Sequence, residues 1–312
     1  MTTAFYSPAD CREHDMGRGH PECPQRLDAI RDHLIATGLD HALEMREAPL
    51  AALEQLARAH SSGYVNELRA AIEPLAGNGE HLALDPDTSA GPGTWHAVLR
   101  GAGAAVAATD AVIDGDIANA FCAVRPPGHH ATRGQAMGFC FFNNVAVAAR
   151  HALDVRGLDR VAIIDFDVHH GNGTEDIIAG DERVLMVSIF QHPLYPYSGA
   201  VPMGTNMVNV PIPPYSRGDV VRAAIEAMWL PRLEEFKPQM LFISAGFDAH
   251  REDELGQLGL VEADYTWITR RLVEVAERHA QGRIVSCLEG GYNLSALARS
   301  VAAHLRVLAK LD

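Results

Sequence analysis

The chain has 312 residues, of which 47% are apolar and 21% charged, so it can bury a substantial core in one large α/β domain or two small ones. Its 26 basic and 40 acidic residues give a formal net charge of −14, which argues against a nucleic-acid surface and weakly favours a cationic ligand. The sequence has no apolar run of about 18 residues and no basic-then-apolar start, so we expect neither a membrane span nor a signal peptide.

The cysteines are scattered and odd in number, and none has the C-x-x-C spacing of a structural zinc site. They are Cys11, Cys23, Cys122, Cys140 and Cys287. This pattern favours reduced thiols in a cytoplasmic protein. It leaves the oligomeric state open, a homo-oligomer included.

The first third of the chain combines helical patterns with irregular segments. Apolar residues recur at helical spacing from Leu27 onward, whereas prolines and glycines make the preceding stretch, 16–26, irregular. The other predicted elements are a strand at 3–6, helices at 62–72 and 94–114, and a long loop at 82–94.

From about residue 118, strand-like apolar runs alternate with helix-like patterns. The strands are predicted at 119–124, 161–167, 184–190, 240–245 and 283–288, and the helices at 143–154, 219–236, 262–280 and 295–310. Alternating strands and helices imply a parallel sheet covered on both faces. Because no repeat, low-complexity segment or linker interrupts the chain, we expect a single domain over residues 1–312.

Polar motifs follow four of the predicted strands. They occupy residues 125–130, 169–173, 246–250 and 289–293. Ligands of open α/β sheets bind outside the carboxyl ends of the strands. Since four strands deliver ionisable or phenolic groups to that edge, we expect the functional site there.

The stretch 161–173, V-A-I-I-D-F-D-V-H-H-G-N-G, begins as a buried strand and ends in polar residues. On an extended chain Asp165, Asp167 and His169 point to the same face. Two buried carboxylates and an imidazole on one face repel and desolvate one another unless a cation lies among them. The mixed oxygen and nitrogen donors favour a transition metal, zinc first.

A catalytic zinc ion keeps three protein ligands, and Asp167 and His169 supply two by their spacing. Asp248 follows an apolar strand and is the best third candidate, with helix N-capping as its alternative role. Asp165 lies deeper in its strand and is expected to orient a histidine, to bind a monovalent cation, or to do both.

His129 and His130 follow a rigid Pro-Pro-Gly turn, and general acid–base catalysis suits this tandem pair better than a structural role. Tyr292 follows Gly290 and Gly291, which let the backbone pass close to a ligand. The Tyr292 hydroxyl can donate to a developing oxyanion, although packing in the core is the commoner use of tyrosine.

Six motifs carry a likeness to a known family. They are H-P-E-C-P-Q-R-L at 20–27, R-P-P-G-H-H at 125–130, G-F-C-F-F-N-N at 138–144, I-D-F-D-V-H-H-G-N-G at 164–173, S-A-G-F-D-A at 244–249 and L-E-G-G-Y-N-L at 288–294. Together they resemble the histone deacetylase family, and most closely its class II type and bacterial relatives. The resemblance implies the arginase/deacetylase fold, a single α/β domain in which helices flank an eight-stranded, mostly parallel sheet.

The resemblance also implies roles for individual residues. The zinc ligands would be Asp167, His169 and Asp248. The catalytic residues would be His129 and His130, with Asp165 behind the first and Asn172 behind the second, and Tyr292, which hydrogen-bonds the substrate carbonyl. A potassium ion would be held near Asp165, Asp167, His169 and Ser188. The substrate-binding residues would be Gly138, Phe139 and Leu255.

In the family an apolar tunnel accepts the acyl-lysine methylenes. Phe139 matches one aromatic wall of this tunnel, and Leu194 or Tyr195 could form the other. Leu255 stands at the gatekeeper position, where a leucine resembles the acyl-lysine deacetylases and the polyamine-selective members carry glutamate. Glu254, beside it, keeps acetylpolyamines open as substrates.

The resemblance therefore implies a zinc-dependent amidohydrolase that removes acetyl groups from lysine side chains of proteins or peptides and releases acetate. One alternative keeps the chemistry but acts on acetylpolyamines or another small acetylated amine. Another is a module that binds acyl-lysine without cleaving it. A ureohydrolase with two manganese ions is disfavoured because Asp248 is not part of an Asp-X-Asp pair.

Overall fold

Parallel strands form the centre of the structure, a computed structural model that describes residues 2–311. The strands, in chain order, are β1 (Thr3–Tyr6), β2 (Leu43–Arg46), β3 (Leu82–Ala83), β4 (Ser89–Ala90), β5 (Asn119–Cys122), β6 (Val161–Asp165), β7 (Val184–Gln191), β8 (Met207–Ile212), β9 (Leu241–Ala245) and β10 (Ile284–Leu288). Eight of them form one sheet in the order β2-β1-β5-β10-β9-β6-β7-β8, and every neighbouring pair is parallel. The sheet is thus entirely parallel, where the sequence predicted one that is mostly so.

Helices flank this sheet. They are α1 (Gln25–Thr37), α2 (Leu53–Leu56), α3 (Ser62–Ile72), α4 (Leu75–Asn78), α5 (Thr94–Asp114), α6 (Asn144–Asp154), α7 (Asn172–Ile178), α8 (Gly218–Ala224), α9 (Leu230–Phe236), α10 (Glu262–His279) and α11 (Leu294–Leu308). Helix α5 packs against α6, while α11 packs against both α1 and α10. In residues 2–311 none of these helices has both the length and the apolar character needed to cross a membrane.

The central strands are buried along their whole length, as expected of a parallel sheet covered on both faces. Because buried strands consist of continuous apolar residues, they could be recognised in the sequence. The predicted strands at 3–6, 119–124, 161–167, 184–190, 240–245 and 283–288 are confirmed with small changes at their ends. The edge strands β2 and β8 were not predicted, because their polar and partly exposed residues break the apolar pattern.

Several helix predictions are also confirmed, and α3 and α5 have the predicted bounds. The predicted helix at 219–236 is instead α8 and α9 joined by a π-helical turn at Ile225–Trp229. The loop predicted at 82–94 contains the short antiparallel pair β3 and β4. The described residues form one α/β domain, and its extension over all of 1–312 stays a prediction.

Candidate active site

The four strands followed by polar motifs, β5, β10, β9 and β6, are consecutive neighbours in the sheet. Parallel strands present their carboxyl ends at the same edge, so the four motifs meet there, as the sequence predicted. The motif after β10 ends at the capped start of a helix, and the segment that follows the motif after β5 leads to a second one. The Asn293 side chain accepts a hydrogen bond from the Ala296 amide at the start of α11, and Asn143 caps α6 in the same way.

Asp167, His169 and Asp248 form the candidate metal site. The His169 Nδ1 atom lies 3.1 Å from Asp167 Oδ1 and 3.2 Å from Asp248 Oδ2. One donor atom from each residue fits within 4.8 Å of the others, and both carboxylates are fully buried. Strand β6 ends at Asp165, so the turn after it, rather than the strand itself, brings Asp167 and His169 to Asp248.

The electrostatics of these donors are unfavourable without a cation. Burial raises the pKa of Asp248 to about 7, with a further contribution from the charge of Asp167. Burial lowers the pKa of His169, but its hydrogen bonds to Asp167 and Asp248 outweigh burial and raise it to about 10. Buried carboxylates that repel each other beside an imidazole are suited to a divalent metal with mixed oxygen and nitrogen ligands.

His129 and His130 lie beside this triad, with their ring centroids 4.0 Å apart. His129 Nδ1 is 3.0 Å from Asp165 Oδ2, and His130 Nδ1 is 2.7 Å from Asn172 Oδ1. The predicted pairing of each histidine with its partner is therefore present. The His130 ring is also 5.9 Å from that of His169.

The two imidazoles lie in opposite electrostatic environments. Burial lowers the pKa of His129, but Asp167 and Asp165 outweigh burial and hold it well above its usual value. Burial and the charges of His129 and His169 hold the pKa of His130 well below its usual value. Neighbouring groups whose pKa values are driven apart are characteristic of acid–base sites.

Tyr292 stands on the turn after β10, and this turn has little freedom. The Gly290 amide donates to Asp167 Oδ2 at 2.8 Å, and a Cβ on Gly290 would lie 2.0 Å from Asp248 Oδ2, so only glycine fits. The Tyr292 amide donates to Asp253 Oδ2 at 2.6 Å. Burial holds the pKa of the Tyr292 hydroxyl well above its usual value, against the charge of Arg26, so it remains a donor at neutral pH.

Of the predicted substrate-binding residues, Phe139 lies beside Tyr292, Gly138 lies against His130, and Leu255 shares the partner Asp253 with Tyr292. The Phe139 ring is 5.9 Å from the Tyr292 ring, and the Phe139 amide donates to Thr88 Oγ1 at 2.9 Å. Gly138 and Phe139 both have positive φ angles, 57° and 69°, and a Cβ on Gly138 would collide with the His130 ring. The Leu255 amide donates to Asp253 Oδ1 at 3.0 Å, so the carboxylate that holds Tyr292 also holds the loop of Leu255.

Of the two candidates for the second tunnel wall, Tyr195 lies at the site. Its ring is 5.3 Å from that of His130 and 6.3 Å from that of His169. Leu194 is partly buried and packs against the hydrophobic core. His170, the neighbour of His169 in the sequence, is buried and lies 2.9 Å from Ser198 Oγ through Nδ1.

Ser188 stands directly opposite Asp165 in the pairing of β6 with β7. Its hydroxyl is buried and has no hydrogen-bond partner among the residues that the structure describes. A buried hydroxyl beside a buried carboxylate can serve as an oxygen ligand for a cation. This geometry is compatible with the predicted potassium site.

Sequence reasoning did not single out four buried charged residues that support the site. They are Glu22, Arg26, Asp253 and Glu289. Each lies inside or close to a motif that the sequence did single out. In a sequence, however, a buried carboxylate or guanidinium looks like an ordinary surface charge. Glu22 and Arg26 are four residues apart, but Glu22 precedes α1, so their ion pair does not follow from a helical pattern.

Comparison with known proteins decides the family. The family model described as the histone deacetylase domain matches residues 20–308. The chain belongs to the histone deacetylase family. This confirms the resemblance read from the motifs.

Two relatives match over most of their own length. A histone deacetylase-like amidohydrolase of Pseudomonas aeruginosa is 40% identical over 88% of this chain and 73% of its own. A probable deacetylase of Archaeoglobus fulgidus is 36% identical over 94% of this chain and 82% of its own. The crystal structure of the HDA15 HD domain superposes with a TM-score of 0.90 at 32% identity, covering 99% of this chain and 90% of that one. The all-parallel eight-stranded sheet is therefore the histone deacetylase fold, and the family supports deacetylase activity.

Proposed function

We propose that this histone deacetylase family member is a zinc-dependent amidohydrolase that removes acetyl groups from lysine side chains of proteins or peptides. The observation that carries this proposal is the meeting of the three metal donors with the histidine pair at the end of four adjacent strands. Tyr292 stands on the turn whose Gly290 amide binds the same Asp167.

Asp167, His169 and Asp248 would hold the zinc ion, because their two buried carboxylates and one imidazole match a three-ligand catalytic site. When bound, zinc would polarise the amide carbonyl and lower the pKa of a water molecule. Asp165 and Ser188 fit a potassium ion, which their buried oxygen atoms would help to hold.

His130 is the proposed general base. Since the Asn172 oxygen accepts a hydrogen bond, Nδ1 of His130 carries the proton and Nε2 is left with its lone pair. An amide partner does not stabilise an imidazolium as a carboxylate does, so His130 stays neutral and can take a proton from the attacking water. His129 has the carboxylate partner Asp165, which favours its protonated form.

Tyr292 is the proposed oxyanion donor. Its hydroxyl keeps its proton and would hydrogen-bond the substrate oxygen as charge develops there. When the carbon–nitrogen bond breaks, a histidine of the pair returns a proton to the departing amine. Water has then added to the acyl carbon, and the products are acetate and a free amine.

The surroundings of Tyr292 support a long, mainly apolar substrate chain. Phe139 and Tyr195 would form the two aromatic walls around the lysine methylenes, and Leu255 would lie near the entrance. The five cysteines are free, which supports a cytoplasmic location.

The test is the release of acetate from an acetyl-lysine peptide by the purified protein. We expect activity that is lost on chelation and restored by zinc. Stoichiometric binding of the peptide without release of acetate would instead assign an acyl-lysine binding module.

A second candidate substrate is an acetylated polyamine. Glu254 is an exposed carboxylate directly before Leu255, and a carboxylate there favours a cationic amine. Comparing kcat/KM for acetylspermidine and for an acetyl-lysine peptide separates the two candidates. A preference of more than about tenfold, about 1.4 kcal/mol, decides in favour of the better substrate.

A further inference from the structure

We propose that Glu289 is a positioning residue of the deacetylase reaction, which fixes the turn that carries His129. The inference rests on the proposed function, because it assigns a role within the same reaction. Glu289 follows β10 and is fully buried. Its backbone leads into the turn of Tyr292, whereas its carboxylate binds residues that follow β5.

The contacts of the Glu289 carboxylate define its role. Its Oε2 atom accepts hydrogen bonds from the backbone amides of Gly128, at 2.6 Å, and His129, at 3.1 Å. Its Oε1 atom accepts one from the Ser244 hydroxyl at 3.3 Å. One side chain thus connects the ends of three strands, β5, β9 and β10, each of which carries a motif of the site.

His129 is consequently held at two points. Glu289 binds its backbone amide, while Asp165 lies 3.0 Å from its ring nitrogen Nδ1. The turn itself has little room, because a Cβ on Gly128 would lie 2.7 Å from the Asn144 amide and 2.8 Å from the Phe142 carbonyl. The carboxylate of Glu289 therefore fixes the position of the turn relative to the sheet. The turn in turn fixes the position of the His129 imidazole.

The position of an imidazole in a hydrolase site matters to well under an ångström. A displacement of about 1 Å from groups outside the chemistry can lower the rate about 10²-fold. The buried amides of Gly128 and His129 also need a hydrogen-bond acceptor, because a buried N–H group without a partner lowers the stability of the fold. Glu289 meets both requirements through hydrogen-bond geometry, so its length should matter more than its charge.

Two variants separate length from charge. Glu289→Gln keeps the length and one carbonyl oxygen for the two amides, but removes the charge. Glu289→Asp keeps the charge but is one methylene shorter, so it withdraws the carboxylate from the turn. Ser244→Ala is the matched control, because it removes the third hydrogen bond of Glu289 at an equally buried position and leaves both amides bound.

We expect Glu289→Asp to lower kcat about 10²-fold with little change in KM or zinc content. We expect Glu289→Gln to retain kcat within about fivefold, since a neutral acceptor makes a weaker hydrogen bond than a carboxylate. Ser244→Ala should stay closer still to the wild type. Exchange of the Gly128 and His129 amide hydrogens with solvent, followed by NMR, should be accelerated in Glu289→Asp alone.

Two results would overturn the inference. One is a Glu289→Asp variant with wild-type kcat and unchanged exchange at Gly128 and His129. The other is a Glu289→Gln variant as impaired as Glu289→Asp, which would assign the role to charge. If the wild type itself releases no acetate, the proposed function fails, whereas the amide exchange still decides whether Glu289 holds the turn.

Discussion

Two groups of buried charged side chains meet at the turn 290–292, and they differ in how their charge is balanced. We call the first the arginine cluster: His14, Glu22, Arg26 and Arg125, all fully buried. Glu22 lies between the two guanidinium groups, 3.1 Å from Arg26 Nη1 and 2.7 Å from Arg125 Nη2. Burial raises the pKa of Glu22, but Arg125, His14 and Arg26 outweigh it and lower that pKa to about 2.

The second group, the carboxylate cluster, comprises Asp165, Asp167, Asp248 and Glu289, also fully buried. Its neighbours include the imidazole of His169 and backbone amides such as those of Gly128 and Gly290. Imidazoles and amides compensate buried carboxylates less well than guanidinium groups do. The pKa of Glu289, like that of Asp248, is raised to about 7, chiefly by burial.

The comparison distinguishes a cluster that supports the turn from one that contains the proposed metal donors. In the arginine cluster two guanidinium groups share the Glu22 carboxylate, and Arg26 uses its remaining donors on the turn, with Nε 2.7 Å from the Gly291 carbonyl and its guanidinium 5.0 Å from the Tyr292 ring. The carboxylate cluster keeps an excess of acid that a divalent cation would compensate. We therefore expect loss of a charge in the first cluster to lower stability, and loss of a proposed metal donor in the second to lower activity.

The largest expected effect is that of Asp248→Asn. It removes a proposed zinc ligand, and we expect kcat/KM for an acetyl-lysine peptide to fall by about 10³-fold or more, since a metal supplies several kcal/mol of transition-state stabilisation. The same change relieves repulsion among buried carboxylates. Calorimetry should therefore find the metal-free variant more stable than the metal-free wild type, with a midpoint of unfolding about 2–4 °C higher. An Asp248→Asn variant that is less stable than the wild type but equally active would contradict the proposed difference between the two clusters.

Glu22→Gln should have the opposite effect. It leaves Arg26 and Arg125 without their shared carboxylate, and breaking a buried ion pair from one side costs about 3–5 kcal/mol of unfolding free energy. Urea unfolding measures this loss. Glu73→Gln, at the exposed pair with Arg69, is the control and should change the unfolding free energy little.

Tyr292→Phe tests the point at which the two clusters meet. We expect kcat for the acetyl-lysine peptide to fall about 10²-fold, because the variant loses the donor to the developing oxyanion. Zinc content and thermal stability should change little, since the ring can still pack beside Phe139 and Arg26. An unchanged kcat would remove Tyr292 from the mechanism.

The pH dependence of the unfolding free energy should identify the contribution of the ionised Glu22 within the arginine cluster. The pKa of Glu22 falls from 4.5 to about 2 on folding, so its ionised form stabilises the protein above pH 4.5 and this contribution is lost as the pH falls toward 2. The difference in unfolding free energy between wild type and Glu22→Gln should be constant above about pH 5 and shrink below it. A difference that does not change down to pH 3 would contradict this assignment.

Much of this arrangement could be predicted from the sequence. The central strands are continuous apolar runs, which a local pattern reveals. The motifs after them include Asp167, His169, Asp248 and Tyr292, and the rule that parallel strands share a carboxyl edge predicts that these residues meet. The structure brings these residues to one edge of the sheet. Their roles in zinc binding and catalysis stay predictions.

The remaining features depend on distant contacts that no local pattern records. Strand β8 contains Asn209 and Pro211, and its place is set by pairing with β7. Asp253 lies in an acidic run, and only the fold brings it to the Tyr292 amide. Glu289 likewise lies 161 positions along the chain from the Gly128 amide that it binds. Buried charges of this kind are identified by their partners, and the partners become visible only in the folded chain.

The central claim is that the carboxylate cluster is completed by one divalent ion held by Asp167, His169 and Asp248. The most direct measurement is a calorimetric titration of chelator-treated protein with zinc, together with its thermal unfolding. We predict one zinc ion per chain, and a gain in stability of about 2.7 kcal/mol when free zinc is about 100 times the dissociation constant. Chelated protein that binds no zinc, and that deacetylates the peptide as fast as before treatment, would contradict the account.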